Sequence, residues 1–181
     1  MKEIQFRSTL LKTFVLLATF FQAGCSIFLG NVRPVEQKSS SYEILNLTQL
    51  NSNWKKITST DPGSSDLTFQ SSRTASIISI NSACKDENDS PTRKSLKELT
   101  RELLLGISEI SFQEEALINL SQTPGLKTTL KGKLNNEIVM FRTVVLQKLP
   151  CIYDLIYIST PENFTQEEKN FESFISSLQL K

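Results

Sequence analysis

Two cysteines and one aspartate inside apolar runs are the residues of this chain with most chemistry to offer. Cys84 ends the run TASIISINSAC and Cys151 opens CIYDLIYIST. Both therefore fall at strand ends, where antiparallel neighbours bring Cα atoms within bonding distance. Three fates compete for them: a structural disulfide, a redox-active pair, or two separate thiols. The chain has neither a Cys-x-x-Cys motif nor a single histidine to lower a thiol pKa, which weighs against redox chemistry. In an oxidising compartment the structural bridge is the expectation, and its loop would contribute about 4 kcal/mol by chain entropy.

Asp154 stands between Tyr153 and Leu155 and shares the parity of Ile152, Ile156 and Ile158. An unpaired buried carboxylate is costly, so this placement asks for a reason. Asp154 is either a general base with a raised pKa, a partner for Arg142 on the neighbouring strand, or, as the heavier reading, an edge residue or satisfied hydrogen-bond acceptor. The absence of histidine removes Ser-His-Asp and Cys-His catalysis and histidine-ligated metals. Asp61, Ser64, Ser65 and Asp66 lack the spacing of an EF-hand, and the glycines form no phosphate-cradling motif. No catalytic residue, metal ligand or cofactor is expected, and the chain reads as a non-enzyme.

The third cysteine lies near the N-terminus. Lys2, Arg7 and Lys12 precede an uncharged apolar run, Thr13 to Phe21, too short to span a bilayer; small Ala23 and Gly24 follow, then Cys25. That is the layout of a signal peptide. The segment QAGC resembles the lipobox of bacterial lipoproteins, with Gln22 where that family usually carries an aliphatic residue. The resemblance implies cleavage between Gly24 and Cys25, a diacylglyceryl thioether on Cys25, and acylation of its new amine with a fatty acid such as palmitate. A secretory signal cut without lipidation and a retained anchor remain as alternatives. Ser26, rather than Asp, after the cysteine favours the outer membrane over the inner one in bacteria that sort lipoproteins.

Removing residues 1–24 takes 20 basic and 19 acidic residues to 17 and 18, because Lys2, Arg7, Lys12 and Glu3 leave. A near-neutral domain has no footprint for counterion release, so nucleic acid is not an expected partner. Residues 25–41 carry the lipidated cysteine and a Gly-, Pro- and Ser-containing tether, and a single domain is expected over 42–181.

Within that domain YEILNL, LTFQ and TASIISINSAC read as strands. Ser90 and Pro91 suit the start of a helix carrying Leu96, Leu99, Leu103 and Ile107. EALINL is a short strand candidate. LKTTLKGKL alternates Leu126, Thr128, Leu130 and Leu134 against Lys127, Thr129, Lys131 and Lys133, the pattern of a half-buried antiparallel strand. EIVMFRTVVLQKL and CIYDLIYIST follow as strands. Thr165 and Glu168 suggest a capping box for a last helix whose apolar face is Phe171, Phe174, Ile175 and Leu178.

This order describes an α+β domain, an antiparallel meander sheet covered by two helices. It resembles the PsbP-like sandwich. NVRPVEQKSSSYEI, TASIISINSAC and CIYDLIYIST, about a fifth of the chain, are similar to segments of a lipoprotein family of two-membrane bacteria that brings no established chemistry. These resemblances imply a lipid-anchored protein of the outer membrane, facing the periplasm, that serves as an accessory or binding module for an envelope protein partner in assembly or transport. Two other functions stay open: a carrier with a lipid or apolar ligand between sheet and helix, and a hydrolase using a carboxylate such as Asp154.

Overall fold

Alternating burial along Cys151–Ser159, with Tyr153, Leu155, Tyr157 and Ser159 inward, is the simplest expression of how this domain is built: one sheet with a deep core on one face and a shallower one on the other. The computed structural model describes residues 42–58, 65–84 and 94–181. Gly24 and Cys25, the tether, Ser90 and Pro91, and Asp61 and Ser64 lie outside the described residues.

In chain order the strands are β1 (Tyr42–Glu43), β2 (Trp54–Ile57), β3 (Leu67–Ser71), β4 (Ile77–Cys84), β5 (Ser108–Leu120), β6 (Thr123–Leu134), β7 (Glu137–Lys148), β8 (Cys151–Ser159) and β9 (Gln179–Leu180). Helix α1 (Leu96–Leu103) follows β4, and α2 (Phe164–Ser176) follows β8. β1 and β9 form a small antiparallel pair, Tyr42 opposite Leu180. The other seven strands form one antiparallel sheet in the order β2-β3-β4-β8-β7-β6-β5. It is two meanders joined where β4 meets β8.

Local chemistry explains the turns. Asn135 and Asn136 link β6 to β7 with φ of 51° and 68°, the left-handed conformation that a two-residue hairpin with a type I′ turn requires and that asparagine tolerates. Ser121 and Gln122 do the same between β5 and β6, at φ of 49° and 61°. A cis Leu149–Pro150 bond lies between β7 and β8.

The helix ends differ from the sequence reading. Ser95, not Ser90, caps α1: the Glu98 amide donates to the Ser95 hydroxyl oxygen at 3.2 Å, and the Ser95 amide donates to the Glu98 carboxylate at 2.7 Å. α2 begins at Phe164 behind Asn163, whose side chain makes no capping bond. Thr165 lies inside the helix rather than at its cap, so it forms no box with Glu168, whose carboxylate instead meets Arg142 at 2.6 Å. The strand expected at Glu115–Leu120 is more than twice as long and starts at Ser108. YEILNL is extended only at Tyr42 and Glu43 and turns into a short 3-10 segment at Leu47.

α2 lies on the face carrying Tyr153, Leu155 and Tyr157. Phe164, Phe171, Phe174, Ile175 and Leu178 pack there with Leu47, Trp54, Phe69, Ile78, Ile80, Val144 and Leu146. Tyr157 stacks on Phe164 at 4.8 Å and on Phe171 at 5.6 Å between ring centres, and Phe69 meets Phe174 edge-on at 6.0 Å. These rings fill the space between sheet and α2 in which the alternative carrier reading places an apolar ligand. α1 covers the other face over β6 and β7, where Leu104 joins Leu130 and Phe141, with Ile107, Ile156 and Ile158 against them. Burying each such side chain stabilises by about 1.5–3 kcal/mol, so the α2 side holds most of the fold's hydrophobic stabilisation.

Candidate functional site

Pairing of β8 with both its neighbours sets Asp154 opposite Asn81 on β4 and Val145 on β7. Residues directly opposite share a face of a sheet, so Asp154 lies on the α1 side with Ile152 and Ile156. Asp154 is half-buried, and among the described residues it forms no hydrogen bond or ion pair. Removal from water penalises its charged form and raises the carboxyl from 3.8 to about 6. Such a group takes up and releases a proton near neutral pH. Its in-register neighbours, an amide and an aliphatic side chain, are neither acid nor base.

Arg142 is not its partner. Arg142 is opposite Tyr157 and Thr129, which places it on the α2 face, across the sheet from Asp154. The physical reason is parity: Val145 is the residue opposite Asp154, and Arg142 is an odd number of residues away from it. On its own face Arg142 donates from Nε to the Thr129 hydroxyl at 2.9 Å and from Nη1 to Glu168 at 2.6 Å and Glu172 at 3.2 Å. Its guanidinium sits 5.0 Å from the centre of the Phe164 ring. Lys127 reaches the same Glu172 at 3.5 Å, so cations of the sheet hold down acidic positions of α2.

A second carboxylate, which the sequence reading passed over, is more deeply set. Glu167, 2% exposed in the first turn of α2, accepts from the Ser71 hydroxyl at 3.1 Å, the Thr74 hydroxyl at 3.4 Å, Arg73 Nη2 at 3.0 Å and Asn170 Nδ2 at 2.5 Å. The Thr74 hydroxyl oxygen lies 2.8 Å from that of Ser76, from which it can accept while its own proton goes to Glu167, and the Ser76 hydroxyl is 2.8 Å from that of Ser159. This chain of buried hydroxyls and one carboxylate ties the β3–β4 hairpin to α2 and the end of β8. With both carboxylate oxygens engaged, Oε1 by Ser71, Thr74 and Arg73 and Oε2 by Asn170, it reads as a fastening. The available signal was local: Glu167, beside Glu168, falls where a helix's first turn faces the protein.

Cys84 and Cys151 are directly opposite each other and joined in a disulfide, with Cα atoms 4.0 Å apart. The sequence reading of a bridge between two strand ends therefore matches the geometry. Beside it Asp66 accepts from the Tyr42 hydroxyl at 3.4 Å and from the Ser82 hydroxyl, while Tyr42 meets Tyr153 edge-on at 6.1 Å. Burial first, and then the adjacent Asp66 carboxylate, push the Tyr42 phenol above its usual range. Asp66 thus links Tyr42 of β1 to Ser82 of β4 through its carboxylate.

No protein-family model matches the chain, and no curated protein sequence matches it. Solved structures do. Cyanobacterial PsbP from Synechocystis sp. PCC 6803 aligns over 88% of this chain and 99% of its own, at 10% identity and a TM-score of 0.51. A protein from Bacteroides thetaiotaomicron aligns over 77% of this chain and 45% of its own, at 9% identity and a TM-score of 0.50. LpqN of Mycobacterium tuberculosis, involved in cell envelope biogenesis, aligns over 79% of this chain and 84% of its own, at 10% identity and a TM-score of 0.46. At such identities the likeness is one of fold, and the fold is PsbP-like.

Proposed function

We propose that the protein is a lipid-anchored accessory module of the bacterial envelope, which binds a protein partner on the periplasmic side of the outer membrane and performs no catalysis of its own. The observation that carries the compartment is the Cys84–Cys151 bond, since disulfides persist outside the reducing cytoplasm. It agrees with the signal layout and the QAGC segment ending in Cys25. Several acyl chains at that residue would hold the protein on a membrane essentially permanently, at ~0.8 kcal/mol for each buried methylene. A binding role suits a domain in which the buried Glu167 carboxylate is fastened to its neighbours and the half-buried Asp154 is set beside uncharged groups.

The test is the mass and location of the protein in native cells. The expected result is a membrane-bound polypeptide starting at Cys25 with an acyl-sized increment, which Cys25→Ala converts to a protein that is not acylated and leaves the membrane fraction. An uncleaved chain in the cytoplasm with both Cys84 and Cys151 reduced would remove the proposal. Cross-linking in the same cells names the partner.

A further inference from the structure

The two edges of the seven-stranded sheet are unlike. β2 is four residues long and carries adjacent exposed Lys55 and Lys56, the short charged edge that resists chance pairing. β5 runs for 13 residues, is exposed at every position from 108 to 117, and among the described residues pairs with β6 alone. α1 packs on β6 and β7, and α2 on β8. Among the described residues nothing pairs with the outer row of β5 backbone N–H and C=O groups from Phe112 to Leu120. Its regular portion is Phe112–Leu120, where Ile118 and Leu120 pack against the main core; the stretch before it is bulged, with a register shift between Ser108 and Phe112 and Glu109 at φ 46°.

Side chains give this edge a character. Phe112, on the α2 face, is 47% exposed and Leu117, on the α1 face, is 81% exposed. Between them Glu114 and Glu115 point to opposite faces. Among the described residues Glu114 has no ion pair, and Glu115 has only Lys97 at 3.7 Å and a hydrogen bond from Gln113.

We propose that β5 is a docking strand: an extended segment of a protein partner adds to it as an eighth strand, placing two consecutive basic residues against Glu114 and Glu115 and apolar residues on Phe112 and Leu117. Strand addition matches main-chain groups for affinity and alternate side chains for selectivity. A second copy fits poorly, because β5 paired with itself about its midpoint sets Glu114 against Glu114, and like charges directly opposite are unfavourable. This deepens the reading of the domain as a binding module and rests on it only for where the partner lives.

The probe is a fluorescent peptide containing Val-Thr-Lys-Lys-Thr-Val, titrated against the full chain purified in detergent, with a Val-Thr-Glu-Glu-Thr-Val peptide beside it. Saturable binding of the lysine peptide alone is expected, with slowed hydrogen exchange at β5 amides. The pair Glu114→Lys and Glu115→Lys, and separately Leu117→Lys, should weaken it at least tenfold with little shift of the unfolding midpoint, since Glu114 and Leu117 are exposed and the Lys97–Glu115 pair is a surface one. Absent binding, equal binding of the two peptides, or indifference to the charge reversal would overturn the proposal. So would a dimer that the reversal dissolves, which would assign the edge to a second copy. Peptide binding does not depend on acylation, so a failed docking strand and a failed anchor are told apart.

Discussion

Glu167 accepts a hydrogen bond from Ser71 across 96 residues of sequence at 3.1 Å, fixing the first turn of α2 to the end of β3. Three more donors meet the same carboxylate. Glu167→Ala strands buried hydroxyls without an acceptor and should lower stability by about 3 kcal/mol. Arg73→Ala removes a cation whose side chain is 51% exposed and should cost under about 1 kcal/mol. Urea unfolding midpoints of the two variants check the ranking.

Asp154 should make the domain less stable as pH rises. Its folded pKa of about 6 exceeds the ordinary 3.8, so the folded state binds the extra proton between these values. The contribution is fully present below pH ~4 and is lost by pH ~6, on the order of 2 kcal/mol after allowing for its partial exposure. Asp154→Asn should abolish this slope and be the more stable protein at pH 7. Denaturant unfolding at pH 4, 5, 6 and 7 for both proteins decides it.

Thr128 and Thr143 face each other on β6 and β7, and both are fully buried under the α1 side with hydroxyls that meet no hydrogen-bond partner among the described residues. A valine keeps the shape and removes the orphaned group. Thr128→Val with Thr143→Val should therefore raise stability by roughly 1–3 kcal/mol, seen as a higher melting temperature.

The disulfide closes a separation of 67 residues, for which chain entropy assigns about 4 kcal/mol. Replacing Cys84 and Cys151 together by serine should lower the unfolding midpoint accordingly. The wild-type chain treated with a reductant should fall to the same value.

Strands with one buried face were legible from sequence. The alternation of Leu126 and Leu130 against Lys127 and Lys131 appears in the structure as two faces of β6. The first half of β5 was not legible, because neither face is covered from Ser108 to Leu117 and burial imposes no alternation there. Partnership across strands was harder still. Arg142 and Asp154 lie on adjacent strands, yet a shift of one residue in register exchanges the faces, and only the observed pairing of Val145 with Asp154 separates them. Ser95 and Ser90 both suit a helix start; Ser95 has Glu98 three residues on, and its capping box is the one formed. Cys84 and Cys151 were the most readable pair, since each marks the end of an apolar run.

The β4–β8 ladder is a seam between the portion of the sheet that precedes α1 and the portion that follows it, and the disulfide is a rivet at one end. Proteolytic nicking after Lys85 or Arg93 would thus yield two fragments that travel as one molecule in a denaturing gel until a thiol is added. The Cys84–Cys151 bond would keep the two pieces covalently one body.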